Sequence, residues 1–383
     1  MILYIILVRG DFVVFDNAKK KRWFLITWFI LPIIIGFAYS IFLNPIIQYS
    51  MLIFSTPYLF ILLFSYHKKL SQKQNTVLVL VILLVNTSTL VFERNHYNIF
   101  YKQPYEETFK KALLTYNTDD VFLIDDCIPY YHEFFFNKYN KRIPYFTKRN
   151  TNIDLTGFEK IIANIKEGNV IAEALTGEQL QIIQSYFPYQ LGYENGFTYE
   201  IYTFSKMAPV DGFVIERDII AQTDFKNEIG SWKDVKYMVE FDTLNNNSFC
   251  RMESSNEWGP SISFPLLQIA EGGLGVVDVE VEMMMLDTIT NALIVATISE
   301  GEETRYWKAV NFESYNHQPN KWKKVFLSVD IQGALKSRRD MDGLVLKINI
   351  WNRAKTKLLI NSITIYRKQG NPLRYSLFSQ DYL

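Results

Sequence analysis

The sequence predicts a multi-domain chain: α-helical transmembrane segments, then a small Rossmann-like α/β domain, then an all-β sandwich of the jelly-roll type. Three observations carry this expectation. Charge-free apolar runs crowd the first hundred residues. Helix and strand patterns alternate from 104 to 206. From 212 to 368 short strands follow one another with turn signals between them.

The apolar runs come first. Trp23 to Phe42 holds 20 residues without a charge, long enough for one membrane-crossing helix. Similar runs lie at 46–65 and 76–91, with Pro32, Pro45 and Pro57 in or beside them. The opening MILYIILV is apolar for only eight residues. It lacks the charged start and cleavage site of a signal peptide, so it reads as the end of a further, partial helix in a longer protein. Arg9 and Lys19-Lys20-Lys21-Arg22 precede the first full run, and Lys68, Lys69 and Lys73 lie between the second and third. Positive loops mark the cytoplasmic side. The expectation is a multi-pass inner-membrane protein with residues 92–383 extracytoplasmic and the lipid bilayer as a partner.

Residues 92–206 read as the α/β domain. Glu106 to Tyr116, Pro129 to Tyr139, Gly157 to Ile165 and Thr176 to Phe187 carry helical patterns, and Thr176 with Gln179 forms a capping-box pair. Val121 to Ile124 and Asn169 to Ala174 read as strands, and Leu191 to Phe204 as one or two more. This alternation predicts a largely parallel sheet. Asp125 and Asp126 follow the first strand, at the sheet edge where open α/β folds hold ligands. They are candidate sugar or metal contacts, with helix-capping or turn carboxylates as the plainer alternative. His132 lies on the next helix, where a lone histidine is ordinarily a satisfied surface or core residue.

Residues 207–370 read as the sandwich, and 371–383 as a tail. Val277, Val279, Val281 and Met283 alternate with Asp278, Glu280 and Glu282, the period-two pattern of a half-buried antiparallel strand. Glu271-Gly272-Gly273 and Asp340 to Gly343 punctuate the run. Trp258, Tyr306, Trp307 and Trp322 are candidate sugar-stacking residues, because flat rings offer apolar area at small entropic cost. Core or edge packing is the alternative for Trp322 and Trp351.

Composition narrows the function classes. The first hundred residues hold nine Lys/Arg and three Asp/Glu, the remainder 31 and 37. An acidic folded remainder argues against nucleic acid as a partner. Cys127 and Cys250 stand alone, fit neither a disulfide framework nor a metal motif, and read as buried small hydrophobes. No dinucleotide fingerprint, phosphate loop or nucleophile elbow occurs, so no cofactor is expected and a hydrolase reading ranks low.

Two resemblances add to this. The stretches Lys321 to Asp330, Leu344 to Asn352 and Leu358 to Tyr366 resemble the last strands of carbohydrate-binding-module-like jelly rolls. Asn44-Pro45 through Thr56-Pro57-Tyr58 resembles a late segment of polytopic glycosyltransferases of the GT-C type. That second resemblance implies sugar transfer from a polyprenyl-phosphate carrier outside the cytoplasm. Such enzymes carry an acidic catalytic residue in an early outer loop, and no such loop precedes Glu93 here. The chain is therefore expected to be the carboxyl-terminal part of such a transferase, inactive alone. The alternative is a non-enzymatic, membrane-anchored carbohydrate-binding or envelope assembly protein.

Overall fold

The computed structural model describes residues 18–42, 55, 57–59, 61, 71–88, 104–115, 119–149, 151–196, 199–209, 213–226, 231–233, 235, 238–242, 247–270, 275–288, 291–315, 318–335 and 341–371. The chain divides into two compact units, Met1–His96 and Tyr97–Leu383.

In the first unit, α1 spans Ala18–Phe42 and α2 spans Gln72–Ser88. Trp28 stacks on Tyr58 with ring centroids 5.7 Å apart. The transmembrane expectation is corrected here: among the described residues no helix is long and apolar enough to cross a membrane. The four cations Lys19 to Arg22 fall within the first five residues of α1. Helix α2 opens on the polar stretch Gln72-Lys73-Gln74-Asn75, and its described residues run to Ser88. The run expected at 46–65 lies, apart from five positions, outside the described residues, as does the opening stub. The multi-pass inner-membrane placement, with residues 92–383 extracytoplasmic, rested on those spans and falls with them.

The second unit begins with α3 (Pro104–Lys110), which runs into a π-helical turn at Lys111–Thr115. Then follow β1 (Val121–Asp125), α4 (Pro129–Tyr139), β2 (Tyr145–Thr147), α5 (Leu155–Asn164), β3 (Asn169–Glu173), α6 (Gly177–Tyr186), β4 (Tyr189–Asn195) and β5 (Glu200–Ser205). The sheet order is β2-β1-β3-β5-β4. The pairings of β1 with β2 and β3 are parallel, while β5 runs antiparallel to both β3 and β4.

Period-two alternation sends β1 and β3 side chains to opposite faces. Val121, Leu123 and Ile171 pack with Phe109 of α3 and Phe135 and Phe136 of α4. Ile124, Val170 and Ala172 pack on the other face with Phe158 and Ile162 of α5 and Ile183 of α6. Helices therefore cover both faces. The Thr176–Gln179 capping box is formed, with bonds of 3.0 and 3.3 Å.

The remaining strands are β6 (Asp218–Thr223), β7 (Val239–Asp242), β8 (Asn247–Met252), β9 (Trp258–Pro265), β10 (Val276–Met285), β11 (Ala292–Glu300), β12 (Glu303–Asn311), β13 (Trp322–Asp330), β14 (Leu344–Asn352) and β15 (Leu358–Lys368). Two short helices, α7 (Leu266–Ile269) and α8 (Ile331–Ala334), link them. One sheet runs β13-β10-β15-β8-β7, with β6 also on β15, and the other β12-β11-β14-β9. Every pairing in both is antiparallel. Val277, Val279, Val281 and Met283 from the first sheet and Ile294, Ala296, Ile298, Ile348 and Ile350 from the second join one apolar cluster. Each valine, isoleucine and methionine among them contributes about 1.5–3 kcal/mol by leaving water.

That cluster continues into α5 and α6, so the α/β layer sits directly on the larger sheet. Glu178 Oε1 accepts from the Ser328 amide at 3.0 Å and the Lys308 ammonium at 2.6 Å. Gln181 donates to the Leu327 carbonyl at 2.9 Å. Gly177 approaches Ser328 so closely that a Cβ there would lie 2.1 Å from Ser328 Oγ.

Candidate functional site

Two places gather the residues singled out from the sequence. The first is the outer face of the four-stranded sheet. The loop before β9 is pinned from below: Asn352 donates through its amide to the carbonyls of Asn256 and Thr356, and its own N–H bonds Glu257 O at 2.8 Å. Asn352 is fully buried, so this anchor is shielded from water. It holds Trp258 opposite Trp351 on β14, beyond a bulge between Asn349 and Trp351.

The two indoles stack with centroids 5.4 Å apart and planes 11° from parallel. Trp258 remains 48% exposed. The Arg353 guanidinium lies 5.7 Å from the Trp351 ring, and Lys355 pairs with Glu257 at 3.7 Å. The result is a flat, backed aromatic surface with charged and polar groups at its border.

Trp307 projects from the same face. It pairs with Thr297, which pairs with Lys347, and Lys347 and Trp351 lie four residues apart on β14. From strand spacing and rise, Trp307 and Trp351 are about 16 Å apart. Trp307 is 54% exposed. Tyr306 points to the opposite face and packs against the core, where burial raises its hydroxyl pKa, helped by Glu178 and Asp330. Trp322, also exposed, lies on the other sheet opposite Met284. Of the four predicted aromatics, the structure places Trp258 and Trp307 on one face and leaves Tyr306 and Trp322 elsewhere. Trp351, read from the sequence as packing, is the residue that backs the surface. Its signal was the cross-strand register, which a single strand's pattern does not show.

The second place is the carboxyl edge of β1 and β3. From β1 the chain passes through α4 to β2 on one side, then through α5 back to β3 on the other. That reversal makes this edge a topological switch point. Asp125 ends β1 and is almost fully buried. Its Oδ1 accepts from the Cys127 amide at 3.0 Å and its Oδ2 lies 2.9 Å from His132 Nε2. The His132 ring is clamped between Tyr145, stacked at 3.9 Å, and the edge of Phe109. Asp126 is half-buried, with an oxygen 3.7 Å from Arg149.

Glu173 ends β3 on the same face. Ile124 pairs with Ala172, so the next residues along, Asp125 and Glu173, are neighbours on adjacent strands. Glu173 is 3% exposed, and its Oε2 has no hydrogen-bond partner among the described residues. Burial above all, then the charges of Asp125 and Asp126, push its pKa up to about 7, against the pull of Lys148. Burial, followed by Asp125 and Glu173, drives the Cys127 thiol up to about 12. The strand-end rule that singled out Asp125 applies equally to Glu173, and the sequence reading applied it to one strand only.

No protein-family model matches the chain, and no curated protein matches it. Solved structures similar to it are carbohydrate-binding modules. The CBM22-2 xylan-binding domain of Paenibacillus barcinonensis Xyn10C is 13% identical, covering 39% of this chain and 99% of its own at a TM-score of 0.27. The C-terminal family 22 module of Clostridium thermocellum Xyn10B is 10% identical, covering 39% and 93% at 0.26. A mannan-recognising module, TmCBM27, is 12% identical, covering 40% and 100% at 0.25. Likeness at this level transfers neither fold nor ligand. The segment 44–58 that suggested a glycosyltransferase lies almost wholly outside the described residues, and the polyprenyl-phosphate carrier and bilayer partner have no support.

Proposed function

We propose that this protein binds glycans, and that the outer face of its four-stranded sheet is the binding surface. The observation that carries the reading is Trp258, half exposed and stacked in parallel on Trp351. A large aromatic ring in water is costly unless something covers it, and a ring held rigid loses little entropy when covered. Pyranose C–H faces are flat and apolar, and their hydroxyls suit a border such as Glu257, Lys355 and Arg353. Trp307, on the same face and about 16 Å from Trp351 by strand geometry, favours an extended chain of sugars over a monosaccharide. A glycan array probed with the full chain, including xylan and mannan oligomers, tests this. Binding to oligosaccharides that weakens with chain shortening agrees with it, and a blank array contradicts it.

A further inference from the structure

The switch-point edge is a separate matter from the aromatic face, and it holds an unusual set of side chains. Ligating atoms of Asp125, Cys127 and His132, all buried, lie within 4.8 Å of one another. Carboxylate, thiol and imidazole converge here from a strand end, the following turn and the first turns of α4. Beside them stands Glu173, on the neighbouring strand and the same face, with a buried oxygen that no described residue satisfies. A buried carboxylate oxygen without a donor is costly, the more so when charged. His132 Nδ1 is likewise buried and without a partner among the described residues, so two of these four groups, of three chemical types, are short of one.

We propose that Asp125, Cys127, His132 and Glu173 form a site for a borderline transition metal of the Zn²⁺ class. The donor set selects the metal: one sulfur and one imidazole disfavour Mg²⁺ and Ca²⁺, which take oxygen. The ligand atoms of Asp125, Cys127 and His132, within 4.8 Å of one another, need only small adjustments, and Glu173 stands outside that group as the fourth ligand. Bonds of about 2.0–2.3 Å in a tetrahedron put ligand atoms about 3.3–3.8 Å apart. The Asp125–His132 contact of 2.9 Å therefore opens slightly and the wider separations close. On binding, the metal takes the thiolate, and the Cys127 proton leaves to bulk solvent. Three anionic ligands around a divalent ion leave one net negative charge, and Lys148, whose charge acts on Glu173, offsets it. The rings of Tyr145 and Phe109 fix the imidazole before any metal arrives.

Cobalt reports the site without requiring any activity. The full chain, stripped with chelator, is titrated with Co²⁺ and followed by absorbance. The site predicts one Co²⁺ per chain with a thiolate-to-cobalt charge-transfer band, competed away by Zn²⁺. Cys127→Ser removes the band, and Glu173→Gln weakens uptake at least tenfold. The chain has only two cysteines, so retention of the band in Cys250→Ser assigns it to Cys127 even if the Cys127 variant does not fold. Absence of stoichiometric uptake by the wild type, or a band that survives Cys127→Ser, overturns the proposal.

Discussion

Asp125 and Glu173 stand side by side at the ends of two parallel strands, one paired through both oxygens and the other with an oxygen bare. Two buried carboxylates this close are not both ionised cheaply without a counter-charge. Burial above all, and then the neighbouring charges of Asp125 and Asp126, favour the protonated form of one of them. It is Glu173, whose pKa rises from the usual 4.5 to about 7.

This gives a pH dependence with a definite sign. The folded state binds the Glu173 proton more tightly than the unfolded chain does. Its contribution is therefore complete below about pH 4.5 and is lost as pH rises to about 7. The full swing is about 3 kcal/mol at most. In chelator-treated protein, denaturant midpoints of wild type and Glu173→Gln should diverge across that window, the variant being the more stable at pH 8. Parallel pH profiles would rule the assignment out.

Gly177 and Ser328 make a second testable contact. A methyl at 177 meets Ser328 Oγ at 2.1 Å and Ser328 Cβ at 2.3 Å, so α6 must lift from β13 or the strand must yield. Gly177→Ala should cost about 1–3 kcal/mol by overpacking. Combining it with Ser328→Gly should cost less than the sum of the two, because the clash disappears. Strict additivity in urea melts would show that the layers are not in contact there.

The capping box gives a smaller effect. Thr176→Ala removes the acceptor for the Gln179 amide at the start of α6 and should lower stability by about 1 kcal/mol. Thr176→Ser should restore most of it, as read by thermal melting.

Trp351 separates the backing ring from the exposed one. Trp351→Ala leaves Trp258 in place but removes the surface it rests on, with loss of about 0.5–1.5 kcal/mol from the ring pair alone. Glycan affinity should fall although Trp351 is the less exposed indole. Trp322→Ala, on the other sheet, should leave affinity unchanged. Equal losses in both variants would point away from this face.

Local pattern made much of the second unit readable. The alternation from Val277 to Met283 and the helix opened by Pro129 appear where periodicity and proline chemistry put them. Strand β2 went unread because three residues are too few to show a period. The parallel sheet was overestimated because β4 and β5 return antiparallel, a matter of pairing that no local signal encodes. The transmembrane reading weighed run length at 76–91 and did not see that the helix there opens earlier, on the polar residues Gln72 to Asn75. At the two candidate sites, Asp125 and Trp258 were visible as residue types in suggestive positions. Glu173 and Trp351 were not, since each matters only through the strand beside it.

Affinity electrophoresis in gels cast with xylan, mannan or other soluble polysaccharides tests the central claim most directly. The wild-type chain should be retarded by at least one polysaccharide. Trp258→Ala should migrate as in a gel without polysaccharide, with its circular dichroism unchanged, and Trp307→Ala should be retarded less than wild type. Retardation that persists in Trp258→Ala, or a wild type that no polysaccharide slows, would contradict a glycan-binding face built on Trp258 and Trp351.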